Sequence, residues 1–132
     1  MRMILGYLTA CGRMRMLNGN CTGDDNPDWW FPEIPTGRTE PEKIKRVASQ
    51  INYALQLCAT CPVKGECLAE GMKMEKMPSG KTGWGNLPFG IWGGTMAAER
   101  LASVGIKPGT SRSSASYQAY KLYSLTKDLI RR

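Results

Sequence analysis

Cys58-Ala59-Thr60-Cys61-Pro62-Val63-Lys64-Gly65-Glu66-Cys67 places three thiols in ten residues of a chain that contains no histidine. Thiolate sulfur is a soft donor that selects zinc, Cu(I) or iron–sulfur clusters, and the absence of His removes every mixed Cys/His zinc site. Upstream, Cys21 completes a C-x36-C-x2-C-x5-C pattern. A fourth thiol brought in by a loop closes a site held by sulfur alone. Spacing leaves the occupant open between a cluster and zinc, since a zinc ribbon sets two CxxC knuckles against each other and the second knuckle is missing here. Disulfides are the competing use of these cysteines, and they suit secreted chains.

Working outward, the helix that delivers Cys58 is legible. Thr39 followed by Glu42 reads as a capping box, Pro41 suits a first helical turn, and Ile44, Val47, Ala48, Ile51, Leu55 and Cys58 recur at helical spacing. Cys61-Pro62 predicts a new helix start, with Cys67 a turn and a half later and Gly71 as the stop. Helix N-terminal amides near these sulfurs favour thiolate over thiol. Further on, Gly90, Gly93 and Gly94 surround Trp92, a pattern that lets a tight turn hold a large amphipathic ring. The adjacent aromatics Trp29, Trp30 and Phe31 must in part be core in so small a domain.

The chain has 132 residues and a formal net charge of +7. That length predicts one domain with tails: an N-terminal arm over 1–20, a cysteine domain over 21–101 and a basic tail over 102–132. About eighty residues carry nearly all the apolar periodicity, so the fold needs a staple as well as a core. From Thr95 onward there are seven Lys or Arg against two Asp or Glu. Thr95 is expected to cap a short helix ending near Val104, and Thr110 to Ser116 to be a linker. Tyr117 to Arg132 is then expected to form an amphipathic helix with Leu122, Leu125 and Leu129 on one stripe. Its Lys121, Lys127, Arg131 and Arg132 are the candidate DNA-phosphate contacts. The N-terminal run before Cys11 is short for a signal peptide, translation from Met14 or Met16 would remove it, and a cytoplasmic location is expected.

The order of motifs resembles the WhiB-like family of actinobacteria and their phages. The matching residues are Cys21, Asp28-Trp29-Trp30-Phe31-Pro32, Cys58-Ala59-Thr60-Cys61-Pro62-Val63, Cys67-Leu68, Gly90-Ile91-Trp92-Gly93-Gly94 and Glu99-Arg100. The resemblance implies a mainly α fold: a small helical domain wrapped around a four-cysteine [4Fe-4S] cluster, with a glycine-rich turn and a basic C-terminal tail. It implies a non-enzymatic transcription regulator that binds the C-terminal region of the primary sigma factor and contacts promoter DNA. Cys21, Cys58, Cys61 and Cys67 would be the cluster ligands. Trp92 with Gly90, Gly93 and Gly94, and the pair Trp30-Phe31, would face sigma. Oxygen or nitric oxide attacking the cluster would supply a switch. Trp30 stands where the family usually has Phe, and the tail lacks an arginine-rich or AT-hook signature. The alternatives are a thiol–disulfide oxidoreductase using Cys58 and Cys61 in the cluster-free form, and a zinc-stapled DNA-binding module.

Overall fold

The computed structural model describes residues 30–35, 37, 40–76, 78–80 and 82–131. Cys11, Cys21, Trp29, Thr39 and Arg132 lie outside the described residues. The architecture is mainly helical. The first helix, α1, spans Pro41–Ala59 and buries Ala48, Ile51, Ala54, Leu55 and Cys58. This is the expected stripe, with Ile44 and Val47 at its half-exposed margin. Its start differs from the expected Thr39–Glu42 box. Glu40 is the N-cap with extended backbone and no side-chain cap bond, and its carbonyl accepts from Lys43 and Ile44. Pro41 is the physical reason: it restricts the preceding residue to extended backbone and takes the first helical position itself.

Helix α2 runs Lys64–Gly71, two residues later than Pro62 suggested. The Lys64 N–H donates to the Cys61 carbonyl at 3.2 Å, and the first helical bond is Cys67 N–H to Val63 O at 2.8 Å. Pro62 therefore occupies the second position of a turn, where its fixed φ is equally favoured. A two-residue antiparallel hairpin follows, β1 (Glu75–Lys76) with β2 (Thr82–Gly83), in register Glu75 to Gly83 and Lys76 to Thr82. Periodicity in the sequence did not signal it.

Helix α3 is Ala97–Ser103, with Met96 rather than Thr95 at its N-cap. Thr95 is committed elsewhere: it exchanges backbone hydrogen bonds with Trp92 at 3.0 and 3.1 Å, and its hydroxyl donates to the Trp92 carbonyl. The Glu99 carboxylate instead accepts from the Met96 N–H at 2.9 Å. At the other end, Gly105 has φ +77°, with Gly105 N–H to Ala102 O and Ile106 N–H to Leu101 O, the paired bonds of a Schellman stop.

The tail is built differently from the expected linker and stripe. Helix α4 starts at Ala115 and ends at Thr126, and Lys127–Leu129 tighten into a 3-10 turn. Ser116, Ala119, Leu122 and Thr126 face inward, Leu125 is half-buried, and Leu129 is 39% exposed. The change of pitch after Thr126 turns Leu129 off the buried face. Helix α4 lies against both α1 and α3. Leu122 joins the main core with Trp30, Ile51, Ala54, Leu55, Ile91, Trp92 and the three cysteines, while Ala119 packs with Leu87 and Leu101 in a second cluster. No helix among the described residues is long and apolar enough to cross a membrane.

Candidate metal centre

Cys58 lies in the last turn of α1, Cys61 in the following turn and Cys67 one turn into α2. All three are buried and none is in a disulfide. They pack in one cluster, and the charges interact: Cys58 feels Cys61, and Cys67 feels both Cys58 and Cys61. Burial pushes the Cys67 thiol up to about 12, and the neighbouring Cys58 and Cys61 add to the rise. The Gly93 N–H, which donates to Cys67 Sγ at 3.1 Å, and the Arg100 guanidinium oppose it. Cys58 is likewise raised, by burial first and by Cys61. The Gly94 N–H, the Trp30 indole and Lys64 pull the other way. The Trp30 Nε1 is buried with no hydrogen-bond partner among the described residues, yet it lies close enough to Cys58 to favour its thiolate.

Consecutive glycines bring those amides to the sulfurs. Gly93 has φ +57° and Gly94 φ +78°. A Cβ on Gly93 would stand 2.6 Å from Leu68 Cβ and 2.7 Å from the Lys64 carbonyl, so the loop crosses α2 at backbone contact. Trp92 closes the approach from the same loop. Its ring packs edge-on to Phe31 at 6.4 Å, its Nε1 donates to the Phe89 carbonyl at 2.9 Å, and it rests on Gly71, where a Cβ would come within 2.4 Å of Trp92 Cβ. Trp30 is bound to the loop through its carbonyl, which accepts from Ile91 N–H at 2.6 Å.

Arg100 holds this loop in shape. It is 2% exposed, and its guanidinium donates to the carbonyls of Thr95, Asn86, Leu87, Phe89 and Gly90 at 2.7 to 3.4 Å. Burial lowers it to about 10, opposed by Cys67 and Glu99, which leaves it charged at neutral pH. In the sequence Arg100 stands out only as part of the Glu99-Arg100 motif, with no task attached to it. Its signal is faint, because a buried Arg and a solvated one look alike in a helix.

The aromatic residues expected on a partner face divide. Trp30 is fully buried and Trp92 is 4% exposed, Phe31 is half-buried, and Phe89 is 53% exposed. Phe89 was not among the expected residues, although Leu87-Pro88-Phe89-Gly90 leads directly into the glycine loop. The expected DNA contacts Lys121, Lys127 and Arg131 are all exposed. Lys121 is on α4, Lys127 is in the 3-10 turn and Arg131 lies just beyond it.

The donor set suits a soft, positively charged group. Three buried sulfurs that repel one another as thiolates, with amide N–H groups aimed at two of them, are poorly matched as a neutral core and well matched as ligands. Among the described residues no three His, Cys, Asp or Glu side chains make a ready site for a single metal ion.

A small helical domain with three clustered, buried cysteines roofed by a Gly-Ile-Trp-Gly-Gly loop defines a class of cysteine-centred helical domains. Within that class the chain belongs to the WhiB family of transcription factors, whose family model matches residues 16–102. The redox-responsive transcriptional regulator WhiB3 of Mycolicibacterium smegmatis is 26% identical over 98 residues, covering 74% of this chain and 81% of that protein. The transcriptional regulator WhiD of Streptomyces coelicolor is 27% identical over 85 residues, 64% of this chain and 60% of that protein. The probable transcriptional regulator WhiB7 of Mycobacterium tuberculosis is 28% identical over 69 residues, 52% and 49% of the two chains. No solved structure matches the chain.

Proposed function

We propose that the protein is a non-enzymatic transcription regulator whose Cys21, Cys58, Cys61 and Cys67 hold a [4Fe-4S] cluster. Its loop face docks on the C-terminal region of the primary sigma factor, and its basic C-terminal segment touches promoter DNA. The observation that carries this reading is the coupling of thiols to loop. Gly93 and Gly94, whose N–H groups meet Cys67 and Cys58, follow directly on Trp92. Anything that changes the charge or geometry at the sulfurs changes what those amides donate to, and so the set of the loop. When bound, the cluster supplies the positive charge that keeps buried thiolates ionised and offers iron that oxygen or nitric oxide can attack.

The protein's own groups do the remaining work. Trp92 and Trp30 act from inside, as packing behind the half-buried Phe31 and the exposed Phe89, and an exposed aromatic beside a buried one is a common anchor for a protein partner. Lys121, Lys127, Arg131 and Arg132 supply cations for DNA phosphates. The thiol–disulfide oxidoreductase alternative, which uses Cys58 and Cys61, gains no support from Cys58, because a nucleophilic cysteine needs a lowered pKa and burial raises this one.

The test is iron, sulfide and zinc content with a visible spectrum on protein purified without oxygen, alone and co-expressed with the C-terminal region of the primary sigma factor. About four iron and four sulfide per chain with sigma retained is the expected result. A colourless protein with one zinc and no retained sigma overturns the cluster and the partner together.

A further inference from the structure

A groove runs along α1, lined in part by Ala48, Leu55 and Leu129 and reaching Gly94 of the loop. Lys45, Ser49, Asn52 and Gln56 follow one another at intervals of four, three and four residues, so they share a stripe about 16 Å long at 1.5 Å per residue. These four side chains line this groove together with Lys64 from the start of α2 and Arg131 from the C-terminal segment. Lys45, Lys64 and Arg131 are exposed, and no Asp or Glu lines the groove among the described residues. Glu42 is 3.8 Å from Lys45 with both side chains well exposed, a pairing that water screens.

Arg131 is fixed in this groove by α1 itself. The Asn52 Nδ2 donates to the Leu129 carbonyl at 2.8 Å, and the Asn52 Oδ1 accepts from the Arg131 N–H at 2.7 Å. One amide thus grips the chain on both sides of Ile130, 77 and 79 residues away in sequence. The backbone that carries Arg131 is thereby held against α1.

We infer that the groove formed by α1, Lys64 and the Asn52-anchored Arg131 is a seat for the sugar–phosphate backbone of duplex DNA. This rests on the transcription-regulator reading and moves part of its DNA contact from the tail onto the helix that carries Cys58. Three cations without an acid give the charge complementarity, and the Ser49 hydroxyl and Gln56 amide add neutral donors of the kind that position a protein on phosphates. The length of the stripe lets it follow one strand past successive phosphates. Such contacts give affinity with a steep salt dependence and little choice of sequence.

The experiment is fluorescence anisotropy of a short labelled duplex with the cofactor-loaded full chain bound to the sigma region, titrated at several salt concentrations. Lys45→Ala with Arg131→Ala is compared with Lys121→Ala with Lys127→Ala. Lys64 is left in place because it neighbours Cys58. The groove pair is expected to weaken binding about tenfold and to flatten the plot of log affinity against log salt by about 1.8, two contacts at about 0.9 each. Asn52→Ala, which removes no charge, is expected to flatten it by about half as much. Visible spectrum and sigma retention stay as in the parent chain. An unchanged slope for the groove pair while the parent binds DNA overturns the groove and leaves the regulator reading standing, with the contact on Lys121 and Lys127 if that pair flattens the plot. Loss of sigma at unchanged slope also overturns it, because the groove then meets an acidic protein surface. A parent complex that binds no duplex at all removes the DNA half of the regulator reading and the groove with it.

Discussion

Gly71 and Gly65 occupy the same helix, and the difference between them shows how much of the site is decided atom by atom. A Cβ at Gly71 would lie 2.4 Å from Trp92 Cβ and 2.6 Å from its Cγ, whereas one at Gly65 meets nothing within 4 Å. Gly71→Ala must push Trp92 and the loop away from α2 and is expected to cost about 1–3 kcal/mol, the usual range for overpacking. Gly65→Ala removes only backbone freedom and is expected to stabilise by about 0.5 kcal/mol. Urea midpoints of the two variants check this, and equal shifts would show that the loop does not rest on Gly71. Arg100 is the second residue on which the site turns. A lysine there has no planar fork to serve five carbonyls at once, and each buried acceptor left without a donor costs about 1–3 kcal/mol. Arg100→Lys is therefore expected to lose about 3 kcal/mol and to retain less cofactor. A variant as stable as the parent would mean that water can replace the guanidinium.

At the scale of elements, the helices of this chain are set by their ends more than by their periodicity. Helix α4 begins because the Ser114 hydroxyl accepts the Tyr117 N–H at 3.1 Å, satisfying one of the donors that every helix start leaves open. Ser114→Ala is expected to cost about 1 kcal/mol. Because Leu122 and Ala119 carry α4 into both cores, that loss should appear in global thermal unfolding. Fraying of α4 alone, with the melting temperature unchanged, would show that this helix is not part of the cooperative unit. The same ends explain what was legible. The α1 stripe could be read because six apolar residues repeat at one period over a long helix, and the Cys58-x2-Cys61 turn because proline and cysteine both punctuate it. The starts of α1, α2 and α3 were each placed wrongly by a residue or two, since Pro41, Pro62 and Thr95 each have more than one favourable position near a helix start. Long-range partners chose among them. The hairpin of β1 and β2 was illegible because two-residue strands leave no alternation to detect, and the grip of Asn52 on Arg131 because nothing local marks a bond across 79 residues.

For the whole molecule, the buried thiols make stability depend on pH in opposite senses with and without a metal group. In the metal-free chain, burial raises Cys67 from an ordinary 9.0 to about 12 and raises Cys58 in the same direction. The folded state therefore binds these protons more tightly than the unfolded chain does. By linkage that contribution is fully present below about pH 9 and is lost as pH rises through the window towards about 12, at up to about 1.4 kcal/mol per pH unit for each thiol. With thiolates bound to metal the sign reverses, because protons then compete with the metal for sulfur and stability falls as the solution is acidified. Thermal melts across about pH 5 to pH 11, on protein stripped of metal under reducing conditions and on protein kept loaded without oxygen, separate the two. The stripped chain is expected to hold its melting temperature up to about pH 9 and then drop, and the loaded chain to weaken on the acid side. Lysines and tyrosines also titrate above pH 9, so Cys67→Ser in the stripped chain supplies the control. It removes the most strongly shifted thiol and is expected to flatten the alkaline drop. An equally steep drop in that variant would mean that the pocket does not govern the alkaline limit of the fold, and that the three thiols are less closely gathered in the metal-free chain than their burial implies.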